Sequence, residues 1–276
     1  MQQTGSFKFR GALNKVLQMS AEEKRKGVVA ASSGNHGLGV ALAASLGGTS
    51  ASIYVPQGAS NIKLNAIKDL GATIIKSNSH NCLHAEEIAR ATAKEKGQYF
   101  ISPYNDIDVI SGQGTIGIEL LEQCKDLDAI FISVGGGGLI SGVAYAVKQI
   151  NSKIDIIGCW PEMSPTLYDS LNLGYISTTS KDGKTLSDGT AGGVESNTIT
   201  LELCQSLITH KLLISEEEIR QAMKKIASYE RWIIEGAAAV AVAGLIKYAH
   251  QYKDKKIAAI VCGRNISLDR YLKAIN

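Results

Sequence analysis

Ala129-Ile130-Phe131-Ile132-Ser133-Val134-Gly135-Gly136-Gly137-Gly138-Leu139 decides the architecture of this chain. A short apolar run stops at four consecutive glycines, and Ile140 to Ile150, rich in small residues, then reads as a helix. A run this short and this apolar predicts a strand buried on both faces, as a parallel sheet requires. Four glycines in a row cost backbone entropy. A flexible loop is the bland explanation. The alternative is close approach of an anion to several N–H groups at a helix start.

The same strand, glycine turn and helix occur earlier. Val28 to Ala31 reads as a strand, Ser32-Ser33-Gly34-Asn35-His36-Gly37 as a turn, and Gly37 to Leu46 as a helix. Further strands are expected at Ala51–Val55, Ala72–Lys76, Tyr99–Ser102, Ile154–Cys159 and Ile257–Cys262. Helices are expected at Ile62–Leu70, Ala85–Lys96 and Ile110–Cys124. Strands alternating with helix-length segments predict an α/β protein with parallel sheets covered by helices. Ser20-Ala21-Glu22-Glu23 and Ser215-Glu216-Glu217-Glu218 have capping-box spacing and mark two helix starts. Thr178 to Gly193 lacks periodicity and reads as a long loop.

The bulk numbers bound the class of protein. With 276 residues, 45% hydrophobic and 20% charged, the chain can bury a large core without staples. A net charge of +3, with no long Lys/Arg run, predicts neither a nucleic-acid nor a membrane surface. Cys82, Cys124, Cys159, Cys204 and Cys262 are scattered, odd in number and without CxxC spacing. That pattern argues for a reducing compartment, with the cytoplasm as the expectation. The longest apolar stretch, Ile233 to Ile246, contains Glu235 and Gly236 and reads as a buried helix rather than a membrane span.

Near the start stands Thr4-Gly5-Ser6-Phe7-Lys8-Phe9-Arg10-Gly11-Ala12. Lys8 falls between a Gly/Ser turn and the apolar start of a helix, with Phe7 beside it. Such a lysine is ordinarily solvated. Desolvation and the positive end of a helix would both lower its pKa and make the amine a nucleophile.

Taken in order, the Lys8 segment, the Ser32–Gly37 turn and the Gly135–Leu139 run resemble the pyridoxal-phosphate (PLP) enzymes of the tryptophan-synthase-β-like fold, in particular the serine/threonine dehydratase and serine racemase group. The resemblance implies a two-lobed open parallel-sheet, three-layer α/β architecture. Residues 1–28 and 104–276 would form a large PLP-binding lobe and residues 29–103 a small inserted one. It implies that Lys8 carries PLP and acts as the catalytic base, with Phe7 beside the cofactor. Asn35 would contact the ring oxygen, and Ser32, Asn35 and His36 the substrate carboxylate. Gly135, Gly136, Gly137, Gly138 and Leu139 would hold the phosphate. Cys262, in Cys262-Gly263-Arg264-Asn265, would face the pyridine nitrogen. A neutral partner there favours prompt loss of a β-substituent. Arg264 departs from the small residue the family carries at its place. Ser111-Gly112-Gln113-Gly114-Thr115 resembles a supporting turn before the helix of Glu119. Gly189-Thr190-Ala191-Gly192-Gly193 and Glu235 resemble segments near the ring.

The implied activity is elimination from L-threonine or L-serine to a 2-oxo acid and ammonia, by a homodimer acting on a small β-hydroxy amino acid. Two enzymatic alternatives stay open. Ser33 resembles the opposite-face proton donor of racemases, and Trp160-Pro161-Glu162 with Leu186-Ser187-Asp188-Gly189-Thr190 fits dehydratases of bulkier β-hydroxy amino acids. Metal-activated relatives carry carboxylates where this chain has Trp160 and Thr166, so no metal is expected; Glu162 and Asp169 are out of register. Only MQQTGSF precedes Lys8, so the resemblance implies a large lobe short of its first elements, and with it a catalytically impaired PLP-binding remnant as the non-enzymatic alternative. It implies no regulatory ACT-type domain after Asn265.

Overall fold

The structure, a computed structural model, describes residues 2–59 and 61–276. The chain divides into two compact units, Met1–Gly112 and Gln113–Asn276.

The first unit opens with α1 (Lys8–Gln18) and the short α2 (Ala21–Lys26), then β1 (Val28–Ala31), α3 (Asn35–Gly47), β2 (Ala51–Val55), α4 (Asn61–Asp69), β3 (Thr73–Lys76), α5 (Cys82–Glu95) and β4 (Tyr99–Phe100). The expected capping box at Ser20 is formed in full with Glu23. Asn81 accepts from the Leu83 N–H, which starts α5 three residues ahead of the sequence expectation. All pairings are parallel and the strand order is β3-β2-β1-β4. Strand alternation sends Val28 and Ala30 into a core with Ala12, Val16, Val40 and Ile67, and Val29 into another with Ala89 and Ala93. Helices therefore cover both faces.

The unit boundary falls inside α6 (Ile107–Gln123). Asp106 accepts from the N–H groups of Asp108 and Val109 and so starts this helix a turn earlier than its apolar pattern indicates. The second unit continues with β5 (Ala129–Ser133), α7 (Gly138–Ile150), β6 (Asp155–Pro161), α8 (Thr166–Leu173), α9 (Thr200–Leu207), β7 (His210–Ile214), α10 (Glu216–Glu230), α11 (Gly236–Tyr248), β8 (Ile257–Ala259) and α12 (Leu268–Ile275). Every residue of β5 is buried, as expected for a central parallel strand. Burying side chains such as Ile130 and Phe131 stabilises the fold by about 1.5–3 kcal/mol each. The Ala-rich stretch from Ile233 becomes α11, whose residues from Gly236 to Gly244 are all buried. Thr178–Gly193 contains no helix or strand. β8 ends at Ala259, short of the expected Cys262, because its register with β5 ends at Phe131.

The second sheet is also all parallel, in the order β7-β6-β5-β8. Both sheets thus follow one rule. The chain steps outward for three strands and then returns to the free side of the first. Strand order reverses between β1 and β4 in one sheet and between β5 and β8 in the other. Loops leaving two such strands part, and a crevice opens beyond their carboxyl ends.

Candidate active site

In the first unit the chemistry-bearing residues gather where β1 and β4 end. Two close backbone approaches fix α1 there. A Cβ at Gly39 of α3 would lie 2.9 Å from the Phe9 nitrogen and 3.0 Å from the Lys8 carbonyl carbon, and one at Gly112 would lie 2.6 Å from the Gly11 Cα. No larger residue lets these helices touch. The Lys15 ammonium, between Asp106 (3.1 Å) and Asp108 (2.9 Å), ties down the next turn.

Lys8 is the first residue of α1, and no side chain caps that end. Its half-buried amine donates to the Pro103 carbonyl at 2.9 Å and lies 5.0 Å from the centroid of the Phe7 ring. The β1 exit is shaped by Ser32, whose hydroxyl accepts from the Gly34 N–H at 3.1 Å. α3 then starts at Asn35 with no side-chain cap, so its leading N–H groups face outward from a helix end. Ser33 and Asn35 are half-buried on this turn. His36 is buried, with Nε2 2.8 Å from the Ile101 carbonyl. A carbonyl can only accept, so Nε2 carries the proton and Nδ1 keeps a lone pair, buried and with no hydrogen-bond partner among the described residues. Burial, and next the positive charge of Lys8, push the His36 pKa down to about 3. The ring is neutral.

In the second unit the corresponding exits are Gly135–Gly137 after β5 and Cys262–Asn265 after β8. Gly137, with φ of +88°, caps α7 without a side chain. A Cβ there would meet Leu167 and Thr200 at 2.9 Å, and one at Gly135 would meet the Thr190 backbone at the same distance. The Thr200 hydroxyl holds the Gly136 carbonyl at 2.7 Å. The result is a side-chain-free cradle at the N-terminus of a 13-residue helix, with Leu139 buried in its first turn.

Cys262 is buried. Beside it the Glu235 carboxylate accepts from the Asn265 N–H at 3.1 Å, and a Cβ on Gly263 would overlap that carboxylate. Arg264 is exposed. Gly192 is held at both backbone groups: its N–H by the Ser164 hydroxyl at 3.0 Å, its carbonyl by the Thr166 hydroxyl at 3.1 Å. Trp160 is buried edge-on to Tyr168, their ring centroids 5.6 Å apart. Among the described residues no cluster of three or more His, Cys, Asp or Glu could hold a metal ion. No helix among them is long and apolar enough to cross a membrane.

Sequence reasoning missed Ile101, Pro103, Ser164, Thr198 and Thr200, all of which act on the motifs from a distance in the chain. None carries a local signal, because a hydroxyl or carbonyl partner tens of residues away leaves no spacing to read.

The first unit offers a lysine at a helix start, and the second a glycine turn ahead of a helix without a side-chain cap and a buried thiol; each suits an α/β protein that takes a phosphate-bearing aldehyde cofactor. The glycine turn at the N-terminus of α7, which no side chain caps, fits a phosphate monoester, and the Lys8 amine fits the aldehyde. The chain belongs to the pyridoxal-phosphate dependent enzyme family, which its residues 1–263 match. It is 40% identical to an L-threonine ammonia-lyase of Thermotoga maritima, over 100% of this chain and 68% of the relative. The processed form of threonine deaminase isoform 2 from Solanum lycopersicum superposes with a TM-score of 0.94 at 38% identity, over 99% of this chain and 79% of that one. Maize serine racemase superposes with a TM-score of 0.90 at 33% identity, over 99% and 83%. The tryptophan-synthase-β-like PLP fold and the dehydratase and racemase group read from the motifs are both borne out.

Proposed function

We propose that this chain is an L-threonine/L-serine ammonia-lyase, which eliminates water from a β-hydroxy amino acid to leave an enamine, whose imine form water then hydrolyses to a 2-oxo acid and ammonia. The observation that carries the reading is the 40% identity, over the whole chain, to the Thermotoga L-threonine ammonia-lyase.

Bound PLP supplies an electron sink conjugated to the substrate α-carbon. The chain supplies the rest. Lys8 would hold the cofactor, and its Nζ would take the Cα proton as general base. Ser32, Asn35 and His36 hold the substrate carboxylate at the start of α3. Since the His36 ring is bonded to Ile101, the backbone N–H is what His36 offers. Asn35 would also meet the ring oxygen of the cofactor, with Phe7 beside the ring and Cys262 as the partner of its nitrogen. Gly135, Gly136, Gly137, Gly138 and Leu139 take its phosphate on the α7 N-terminus.

We assign residues 1–28 and 104–276 to the PLP-binding lobe and 29–103 to the inserted lobe. The working form is a cytoplasmic homodimer that needs no metal. Maize serine racemase among the likenesses favours one further reading, racemisation, with Ser33 as the opposite-face proton donor.

The test is the visible spectrum of the protein with PLP, before and after L-threonine, with Lys8→Ala alongside. A band that the variant lacks, and that threonine changes with release of 2-oxobutyrate, supports the lyase. D-serine from L-serine without ammonia moves the assignment to racemase. A band that threonine, serine and bulkier β-hydroxy amino acids all leave untouched moves it to a PLP-binding remnant.

A further inference from the structure

The Thr200 hydroxyl donates to the Gly136 carbonyl at 2.7 Å, and Thr200 is fully buried. Its single proton is thereby used, because a carbonyl only accepts. The 2.7 Å contact between the Thr200 and Thr198 hydroxyls therefore has one polarity, with Thr198 donating to Thr200. The Thr200 N–H in turn donates to the Thr198 hydroxyl at 3.3 Å. The chain of bonds is closed and every proton in it has one place.

This chain of bonds acts on a peptide that would otherwise turn freely. Gly136 and Gly137 carry no Cβ, so little steric resistance opposes rotation of the plane between them. That peptide is trans, so the Gly136 carbonyl and the Gly137 N–H point in opposite directions. A hydroxyl that holds the carbonyl on the Thr200 side sends the N–H to the other side. Thr200 is itself rigidly placed. It opens α9, which packs on α7, and the Ser141 hydroxyl of α7 meets the buried Cys204 thiol of α9 at 3.5 Å. A Cβ on Gly137 would come within 2.9 Å of the Thr200 side chain as well.

We infer that Thr200, backed by Thr198, is the positioning residue that fixes the Gly136–Gly137 peptide plane so that the cradle presents its N–H groups to the cofactor phosphate. The inference rests on the assignment of Gly135–Gly138 to that phosphate and not on the identity of the amino-acid substrate.

The test is the affinity of the protein for PLP, by titration of the visible band, with the ³¹P chemical shift of the bound phosphate as a second readout. Thr200→Val keeps the shape and removes the hydroxyl; Thr200→Ser keeps the hydroxyl. The expected result is roughly tenfold or more loss of PLP affinity and a moved ³¹P signal in the valine variant. The serine variant should stay within about threefold of the parent. Equal affinity and an unmoved signal in Thr200→Val overturn the inference, and so does equal loss in both variants, which would mark a packing role. Should Thr200→Val fail to fold, Thr198→Val decides: weakened PLP binding at an unchanged melting temperature of the cofactor-free protein supports the inference, and unchanged binding overturns it. No amino acid is present, so a failure of the ammonia-lyase reading would show separately, as a holoenzyme that threonine leaves unchanged.

Discussion

Lys8 and His36, from different helices, bond to carbonyls two residues apart on one segment: Lys8 Nζ to Pro103 at 2.9 Å, His36 Nε2 to Ile101 at 2.8 Å. The exit of β4 is thus a shared anchor for the amine and the ring. Burial first, and then the positive group beside it, keep that imidazole neutral, and the neutral ring adds no repulsion when the amine is charged. Replacing Lys8 by Ala removes its hydrogen bond to the Pro103 carbonyl, a loss of about 0.5–1.5 kcal/mol of stability. Turnover should fall by roughly 10³-fold or more, because nucleophile and base are lost together. Ammonia release and thermal melting of the same preparation check both halves.

The His36 pKa of about 3 has a signed consequence for stability. The unfolded chain protonates this ring near 6.5 and the folded one near 3. Between those values the unfolded state binds more protons, so acid favours unfolding. His36 contributes stability that is full above pH 6.5 and declines as pH falls, by at most about 1.4 kcal/mol per pH unit. His36→Gln, which retains a donor for Ile101, should flatten the denaturation midpoint between pH 4 and 6 relative to the parent. An equally steep slope in the variant would assign the acid sensitivity to other groups.

Gly39 is where α3 meets the backbone of Lys8 and Phe9. Gly39→Ala places a methyl 2.9 Å from the Phe9 nitrogen, and backbone on both sides leaves no flexible neighbour to give way. The expected cost is about 1–3 kcal/mol of stability. Displacement of α1 should also lower kcat more than KM is raised, since the amine is moved and the carboxylate turn is not. Steady-state kinetics and chemical denaturation of the variant measure the two effects.

How far the sequence could be read follows from where each signal resides. Strands, glycine turns and capping boxes are local, and the runs at Val28 and Ala129 and the boxes at Ser20 and Ser215 are found where the pattern puts them. α8 and α9 gave no warning: each has eight residues, and neither Pro165 nor Ile199 before them offers a capping side chain. β7, reading His210-Lys211-Leu212-Leu213-Ile214, lacks alternation. Strand order is non-local by nature. The reversal points that give the glycine turns their chemical setting could not be read from spacing, and neither could the hydroxyls that hold those turns. The motifs named the chemistry, and contacts distant in sequence aim it.

The Gly189–Gly193 segment is fastened by neutral hydroxyls. The Ser164 hydroxyl accepts from the Gly192 N–H and donates to the Asp182 carboxylate at 3.4 Å, and the Thr166 hydroxyl donates to the Gly192 carbonyl. Thr190, two residues earlier, lies against Gly135 of the cradle. Exhaustive dialysis against EDTA should therefore leave ammonia release within about twofold of the untreated enzyme, with no gain from added Mg²⁺ or Ca²⁺. Ser164→Ala combined with Thr166→Val leaves both Gly192 backbone groups without these partners, at about 1–3 kcal/mol for each group that stays dry. That double variant should be nicked faster by protease within residues 178–193, and saturating PLP should restore part of the protection. A holoenzyme that loses activity in EDTA and regains it with Mg²⁺ would show a cation, rather than these hydroxyls, to be the fastener.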